Sequence, residues 1–347
     1  MVTAKEIAEA AHVSRSTVQR ALGEDHRISL RTKSRILKIA EAMGYRPNRH
    51  AQALVMRKQN LEYSVILTIA ENKFMQEVLR GINKAQDELK DSGVKVSIHF
   101  MDEIDGPQQA KLIDQLVTES KKGIVLVPID CKEVRQAIER GSRKGTAFVT
   151  ITSDIKTSRR LCFVGQDNLQ SGRVAGGIMS LVLQRGDKIA CIIGSTQFPG
   201  HMARLNGFRQ RYLESHDEKD IVSVLENFDS ARLSKSLTRE LLKQHSDLRG
   251  IFVGGAGVEG ICHTLVSMGL GGKIRIVTFD LVQSRRFCKE GIIDFVIDQD
   301  PVQEGYRALA VLNSFVMYKE VPPTNHFTKI DIRTRETVDL YGEDDRT

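Results

Sequence analysis

The chain has 347 residues, 41% apolar and 27% charged, which fits two or three globular domains and excludes a disordered or fibrous protein. No apolar run approaches the ~18 residues of a membrane helix, and MVTAKEIAEA places Lys5, Glu6 and Glu9 where a secretory signal needs an apolar stretch. Residues 1–60 hold twelve Lys/Arg against five acids, whereas the other 287 hold 39 of each. The excess of +7 thus sits in one short segment, the pattern of a nucleic-acid-binding head on a neutral body; a solvated basic surface gives the same charge.

That segment reads as three helices. Thr3-Ala-Lys-Glu6 is a capping box, after which Ile7, Ala8 and Ala11 form an apolar face. Ser14 can cap a second helix, Arg15 to Leu22, stopped by Gly23. Ser29 can cap a third, with Ile36, Leu37, Ile39, Ala40 and Met43 at helical spacing and Gly44 at its end. Tyr45-Arg46-Pro47-Asn48 breaks the pattern, and a short helical segment, Arg49 to Met56, follows.

From Tyr63 onward, apolar runs of strand length alternate with amphipathic stretches of helix length. The runs lie at 64–70, 94–100, 123–129, 147–152, 162–165, 188–194, 221–228, 250–254, 274–279 and 293–298. The stretches include 75–91, 107–121, 168–184, 202–214, 230–245, 256–268 and 301–317. Alternation of this kind predicts an α/β fold with doubly wound parallel sheets. Ten strands exceed one compact sheet, so two lobes are expected.

In the head, two short helices joined by Ala10-Ala11-His12-Val13-Ser14 fit a helix-turn-helix. The second helix offers Arg15, Ser16, Thr17, Gln19 and Arg20, all able to bond base edges or phosphates in a major groove. A protein-docking module would share this spacing. The stretches VTAKEIAEAAHVSRSTVQRAL and RTKSRILKIAEAMGYRPN, continued by RHAQALVMRK, resemble the head and hinge of the LacI/GalR bacterial repressors. His12 replaces that family's usual turn Gly, Gly23 its usual Asn, and Gln19 its usual Ser. Histidine tolerates the left-handed conformation better than most residues, which predicts that the turn survives. The resemblance implies Arg15, Ser16 and Arg20 as base readers, within a DNA-binding set that also holds Thr3, Ser14, Thr17, Gln19, Arg27, Asn48 and Ala51. It also implies that Leu54 enters the minor groove as a wedge, whereas the residues alone favour Leu54 and Val55 packing the linker onto the body. A hinge of about eight residues is shorter than the ~12–15 of a marginal isolated helix, so it is expected to fold only when paired on DNA.

Ligands of open α/β sheets sit beyond the carboxyl ends of strands. Those positions hold Asn72, Phe74, Asp130, Asp154, Gln166, Asp167, Phe228, Asp280 and Gln299. Carboxylates and amides bond hydroxyls, and aromatic faces pack on sugar rings; strand-end acids such as Asp280 can equally cap the next helix. The body resembles the sugar-binding periplasmic receptors. By position, that resemblance implies Asn72, Phe74, Asp154, Arg204, Phe228, Asp280 and Gln299 as effector contacts. At Gly254-Gly255-Ala256 the relatives often carry Asn or Asp, so a lost side chain there either opens room or removes a hydroxyl contact.

Enzyme readings find little. Gly255-Ala-Gly257-Val-Glu-Gly260 follows a strand, with Asp280 twenty residues further on, and is formally a dinucleotide fingerprint for an NAD-binding oxidoreductase. No GxSxG, HExxH or P-loop occurs, and the five cysteines (Cys131, Cys162, Cys191, Cys262, Cys288) lack CxxC or metal-ligand spacing. A periplasmic-type solute receptor is opposed by the basic head and the absence of a signal. The expectation is therefore a cytoplasmic, non-enzymatic regulator without cofactor or metal: a helix-turn-helix domain at 1–47, a hinge helix and linker at 48–60, and an effector-binding and dimerisation domain at 61–347. Lobe one is expected at about 61–166 and 300–319, lobe two at about 167–299 and 320–347, with crossovers near Asp167-Asn168, Gln299-Pro301 and Tyr318-Pro322. A palindromic operator needs two heads, and no leucine heptads follow the body, so a homodimer is expected.

Overall fold

The computed structural model describes residues 2–22, 28–45, 61–68, 72–90, 92–101 and 103–340. The chain divides into two compact units, residues 1–55 and 56–347.

The first unit holds α1 (Ala4–Ala10), α2 (Arg15–Leu22) and α3 (Leu30–Ala42). The capping box forms as the sequence predicts: Glu6 N–H donates to Thr3 Oγ1 at 3.3 Å, and Thr3 N–H donates to Glu6 at 2.6 Å. Ser14 and Ser29 accept from Thr17 N–H and Thr32 N–H, each at 3.2 Å, covering donors that a helix start leaves open. Ile7, Ala8, Ala11, Val18, Ala21, Ile36 and Ala40 bury one small core. His12 turns the chain at φ +49°, in the left-handed region. The Arg35 guanidinium donates to Ala11 O at 3.2 Å and ties α3 to that turn. Gly23 and the segment 49–56 lie outside the described residues.

The second unit contains two sheets. In the first lobe stand β1 (Glu62–Thr68), α4 (Lys73–Lys90), β2 (Lys95–Met101), α5 (Gly106–Thr118), β3 (Gly123–Leu126), α6 (Lys132–Arg143), β4 (Ala147–Ile151) and β5 (Cys162–Gly165). The second lobe repeats the plan with α7 (Asn168–Val182), β6 (Lys188–Ile193), α8 (Pro199–Tyr212), β7 (Ile221–Glu226), α9 (Ala231–Gln244), β8 (Leu248–Val253), α10 (Val258–Ser267), β9 (Arg275–Phe279), α11 (Leu281–Lys289) and β10 (Phe295–Asp298). The chain returns through α12 (Pro301–Tyr318) to β11 (Asn325–Phe327), then crosses again to β12 (Asp331–Arg333). The sheets run β2-β1-β3-β4-β5-β11 and β7-β6-β8-β9-β10-β12. All pairings are parallel except β10 with β12. Inner strands such as β3, β5 and β6 are buried almost throughout, which is why their sequences read as continuous apolar runs rather than alternations. The edge strands β2 and β7 are only partly buried.

Two short strands escape the sequence reading. Asn325–Phe327 extends the first sheet beside β5, and Asp331–Arg333 extends the second beside β10. The third crossover therefore lies at Thr328–Ile330, not at Tyr318–Pro322, and residues 325–327 belong to lobe one. Three residues are too few to show periodicity, and Pro322-Pro323 reads as a break.

Candidate functional site

In the head, α2 leaves Arg15, Ser16, Gln19 and Arg20 exposed while Val18 and Ala21 are buried. Thr17 is half-buried, and its hydroxyl and backbone N–H bond Ser14. Thr3 is exposed and engaged with Glu6. Arg27, Asn48, Ala51 and Leu54 lie outside the described residues.

In the body, both sheets reverse direction of growth at their second strand, between β1 and β3 and between β6 and β8. Such switch points open a crevice beyond the carboxyl ends of the strands. The two crevices face each other and form one cleft with about 500 Å³ of space between atoms, part of it open to solvent. Lobe one contributes Asn72, Phe74, Thr152 and Ser153, lobe two Phe198, His201, Arg204, Asp229, Gly255 and Asp280, and the crossover contributes Gln299. The lobes also bond directly: Gly200 N–H donates to Ser153 Oγ at 2.9 Å, and Lys73 pairs with Glu259 at 2.5 Å.

Arg204 is the centre of the polar network. Its helix α8 lies backbone to backbone on α7: a Cβ at Gly207 would fall 2.0 Å from Leu169 O, and one at Gly172 would fall 2.1 Å from Arg204 O. Phe208, next in the chain, is fully buried in the lobe core. The Arg-x-x-Gly-Phe run is thus the packing code that fixes Arg204. Its guanidinium donates to Asn168 Oδ1 at 2.8 Å, to Gly254 O at 3.1 Å and to Gln299 Oε1, and lies 4.1 Å over the Phe279 ring. Five N–H groups less three bonds leaves two for a ligand. Burial lowers its pKa, against the opposing charge of Asp280.

Asp280 accepts from Gln299 Nε2 and makes no cap bond to α11, so the helix-cap alternative does not describe it. Burial pushes its carboxyl up to about 7, with Arg204 and Gln299 pulling the other way. Asn72 caps α4 through Oδ1, bonding Phe74 N–H at 2.9 Å and Met75 N–H at 3.3 Å. The structure thus brings Asn72, Phe74, Arg204, Asp280 and Gln299 together.

Two of the sequence-predicted contacts stand elsewhere. Asp154 forms a buried ion pair with Arg160 and accepts from Thr150 Oγ1 at 2.8 Å; Arg160 also bonds Thr324 O and Asn325, stitching β4 to the β11 edge. Phe228 is 49% exposed and does not line the cleft. Both Phe228 and Asp229 take positive φ, so the chain turns off strand geometry and presents Asp229 instead. Of the other strand-end acids, Asp130 pairs with Arg135, whose Nε donates to Oδ1 at 2.7 Å on the surface of lobe one, and Asp167 caps α7 through Gln170 N–H. Phe198 and His201 were missed because they begin α8 a few residues past β6. The Phe198-Pro199 step, with Pro at a helix start, is the signal that could have placed them there.

Backbone strain gathers at the same place. Thr152, Phe228, Asp229, Asp280 and Asp300 all take positive φ at the carboxyl ends of strands, five of the eight such non-glycine residues described. Each costs on the order of 1–3 kcal/mol and persists only where its surroundings fix it.

The glycines of the formal dinucleotide fingerprint have other reasons. A Cβ at Gly255 would meet Gly194 N at 2.6 Å and Asp229 Oδ1 at 2.7 Å, and one at Gly260 would fall 1.9 Å from Ala231 O on the neighbouring helix. Gly257 starts α10 at φ +88°. No room is opened at Gly255, because Asp229 fills it.

A helix-turn-helix head joined to a two-lobed, cleft-bearing body defines a ligand-responsive DNA-binding regulator. Residues 3–48 match the bacterial regulatory proteins of the lacI family, and residues 63–320 match the periplasmic binding protein domain family. The chain belongs to the LacI-type transcriptional regulators with a periplasmic-binding-protein body. It is 27% identical over 246 residues to the HTH-type transcriptional regulator DegA of Bacillus subtilis (strain 168), covering 70% of each chain. Among solved structures, a Burkholderia graminis C4D1M transporter solute-binding protein in complex with D-arabinose matches with TM-score 0.75 and 23% identity, over 81% of this chain and 98% of that one. A LacI transcriptional regulator described as putative from Bacteroides fragilis matches with TM-score 0.72 and 21% identity, over 82% and 100%. The NAD-binding alternative finds no support in these matches, and the lacI-family head speaks against the solute-receptor alternative. Among the described residues no helix is long and apolar enough to cross a membrane.

Proposed function

We propose that this regulator is a cytoplasmic repressor that binds a palindromic operator as a homodimer and releases or tightens it when a sugar or polyol enters the cleft. The observation that carries the reading is the Arg204–Gln299–Asp280 network, a set of donors and acceptors with bonds to spare, facing Asn72 and Phe74 across the cleft. Hydroxyls, which both donate and accept, match such a set, and an aromatic face suits the apolar side of a ring. Nothing in the arrangement needs a catalytic step. In the head, Arg15, Ser16 and Arg20 are the base readers of this proposal, within a DNA-binding set that also holds Thr3, Ser14, Thr17, Gln19, Arg27, Asn48 and Ala51, and Leu54 is the minor-groove wedge.

The test is a thermal-shift screen with D-ribose, D-arabinose, D-allose and D-tagatose, alongside a mobility shift on DNA selected by the protein from a random pool. A stabilising sugar that also changes the mobility shift is expected, with Arg204→Ala abolishing both responses and keeping basal DNA binding. An Arg204→Ala protein that responds like its parent would place the effector elsewhere.

A further inference from the structure

Beside Arg204 and Asp280, the wall of lobe two carries a second polar pair that the sequence reading did not assign. β6, β7 and β8 end at Ile193, Glu226 and Val253, and the loops beyond β6 and β8 open with Gly194 and Gly254-Gly255. A Cβ at Gly194 would come within 2.4 Å of both Asp229 Oδ1 and His201 Cε1. The Asp229 carboxylate thus occupies the space that a side chain at either 194 or 255 would take.

The chain holds Asp229 there against a conformational cost. Asn227 N–H and Phe228 N–H donate to Ile193 O and Gly194 O at 2.9 and 2.8 Å. Asn227 Oδ1 accepts from Asp229 N–H at 3.0 Å, and its Nδ2 donates to Ser234 Oγ and Ala256 O at 2.9 and 2.7 Å. These bonds fix two successive left-handed residues, at φ +47° and +57°.

The valences at the wall are complementary. Asp229 Oδ1 accepts from Ala256 N–H at 2.7 Å, while Oδ2 has no donor and the carboxylate forms no ion pair among the described residues, although Arg204 and His201 both feel its charge. His201 Nδ1 accepts from Ser195 N–H at 3.0 Å, so the neutral ring carries its proton on Nε2. The Phe198 ring stands edge-on to it at 5.5 Å. Burial lowers the imidazole pKa and keeps the ring neutral.

We propose that Asp229 and His201 form a second hydroxyl-reading pair, one acceptor and one donor on the same wall, that selects among uncharged sugars in the cleft and takes the place of a side chain at position 255. This rests on the sugar reading above. An acceptor and a donor side by side suit a hydroxyl, which both donates and accepts, so the class is a neutral polyhydroxy compound.

Calorimetric titration with D-ribose, D-arabinose, D-allose and D-tagatose tests it, using the parent, Asp229→Asn, His201→Asn, their double variant and Arg204→Ala. Asn keeps the acceptor for Ala256 N–H and tolerates the left-handed backbone; at 201 it can keep an acceptor for Ser195 N–H and removes the Nε2 donor. Each single variant is expected to weaken the sugars that the parent binds by about tenfold, ~1.4 kcal/mol, unequally enough to change their rank order. The double variant is expected to lose less than the two losses added, because one hydroxyl serves both groups. If Arg204→Ala loses the sugars while both Asn variants keep the parent's affinities and ranking, the pair has no such role. If the parent binds none of the four, the sugar reading fails and this inference with it.

Discussion

Glu304 sits in the first turn of α12, fully buried, with Oε1 accepting from Thr152 N–H and Oε2 without a partner among the described residues. Burial pushes its carboxyl up to about 8, with the Thr152 N–H bond and the charge of Arg204 pulling the other way. In the unfolded chain it ionises near 4.5, so between that value and about 8 the folded state holds the extra proton and stability falls as pH rises. Glu304→Gln removes this dependence. Its melting temperature relative to the parent is expected to climb from pH 6 to pH 9, and a difference that stays flat across that range would contradict the assignment. At the head, Arg15→Ala and Arg20→Ala are expected to cost about 1–3 kcal/mol on selected DNA and to relax base preference. Anisotropy titrations at fixed salt on selected and random DNA read this out, and equal losses on both would reduce these arginines to phosphate contacts.

Helix pairs set the geometry of the cleft. α7 lies on α8 through Gly172 and Gly207, and α4 lies on α12 through Gly81 and Gly305, where a Cβ would fall 1.9–2.0 Å from a carbonyl oxygen of the opposite helix. The same device thus recurs in both lobes, each time beside residues that line the cleft. Gly207→Ala must push α8 away from Leu169 O, and overpacking of this kind costs about 1–3 kcal/mol. Because Arg204 is one turn away, the variant is expected to lose sugar affinity as well as melting temperature. A variant that melts early but binds sugar normally would show that α8 relaxes without moving Arg204.

Across the whole body, three crossovers join the lobes, at Gln166–Asp167, Gln299–Asp300 and Thr328–Ile330. Gln166 ties them together: its Nε2 donates to Asp298 O at 3.0 Å and to Lys329 O at 2.8 Å. It is buried and does not line the cleft. Gln166→Ala removes the two bonds that link the crossovers, a loss of about 1–3 kcal/mol, and frees the hinge. The effector-free protein is expected to show a larger radius of gyration by small-angle scattering and to return to the parent value when saturated with sugar. At the level of assembly, light scattering at micromolar concentration is expected to give a dimer; a monomer would remove the geometry needed to read a palindrome.

The sequence by itself determined the class of this protein. Caps at Thr3, Ser14 and Ser29 and the apolar positions of α1–α3 are local signals, and local signals survive in one dimension. The alternation of buried parallel strands with amphipathic helices is equally legible, because a strand covered on both faces must be apolar throughout. What the tertiary structure alone decided is which strand-end residues face the cleft. Asp280 and Asp154 look alike in sequence, yet one faces the ligand space and the other pairs with Arg160 across a distance of six residues that no periodicity marks. Asp229 lines the cleft in place of Phe228 because both residues adopt positive φ, a choice enforced by Asn227 and by strands remote in the chain. The β11 and β12 pairings, three residues each, are fixed by neighbours contributed from more than a hundred residues and some thirty residues earlier, and so left no trace in the local pattern.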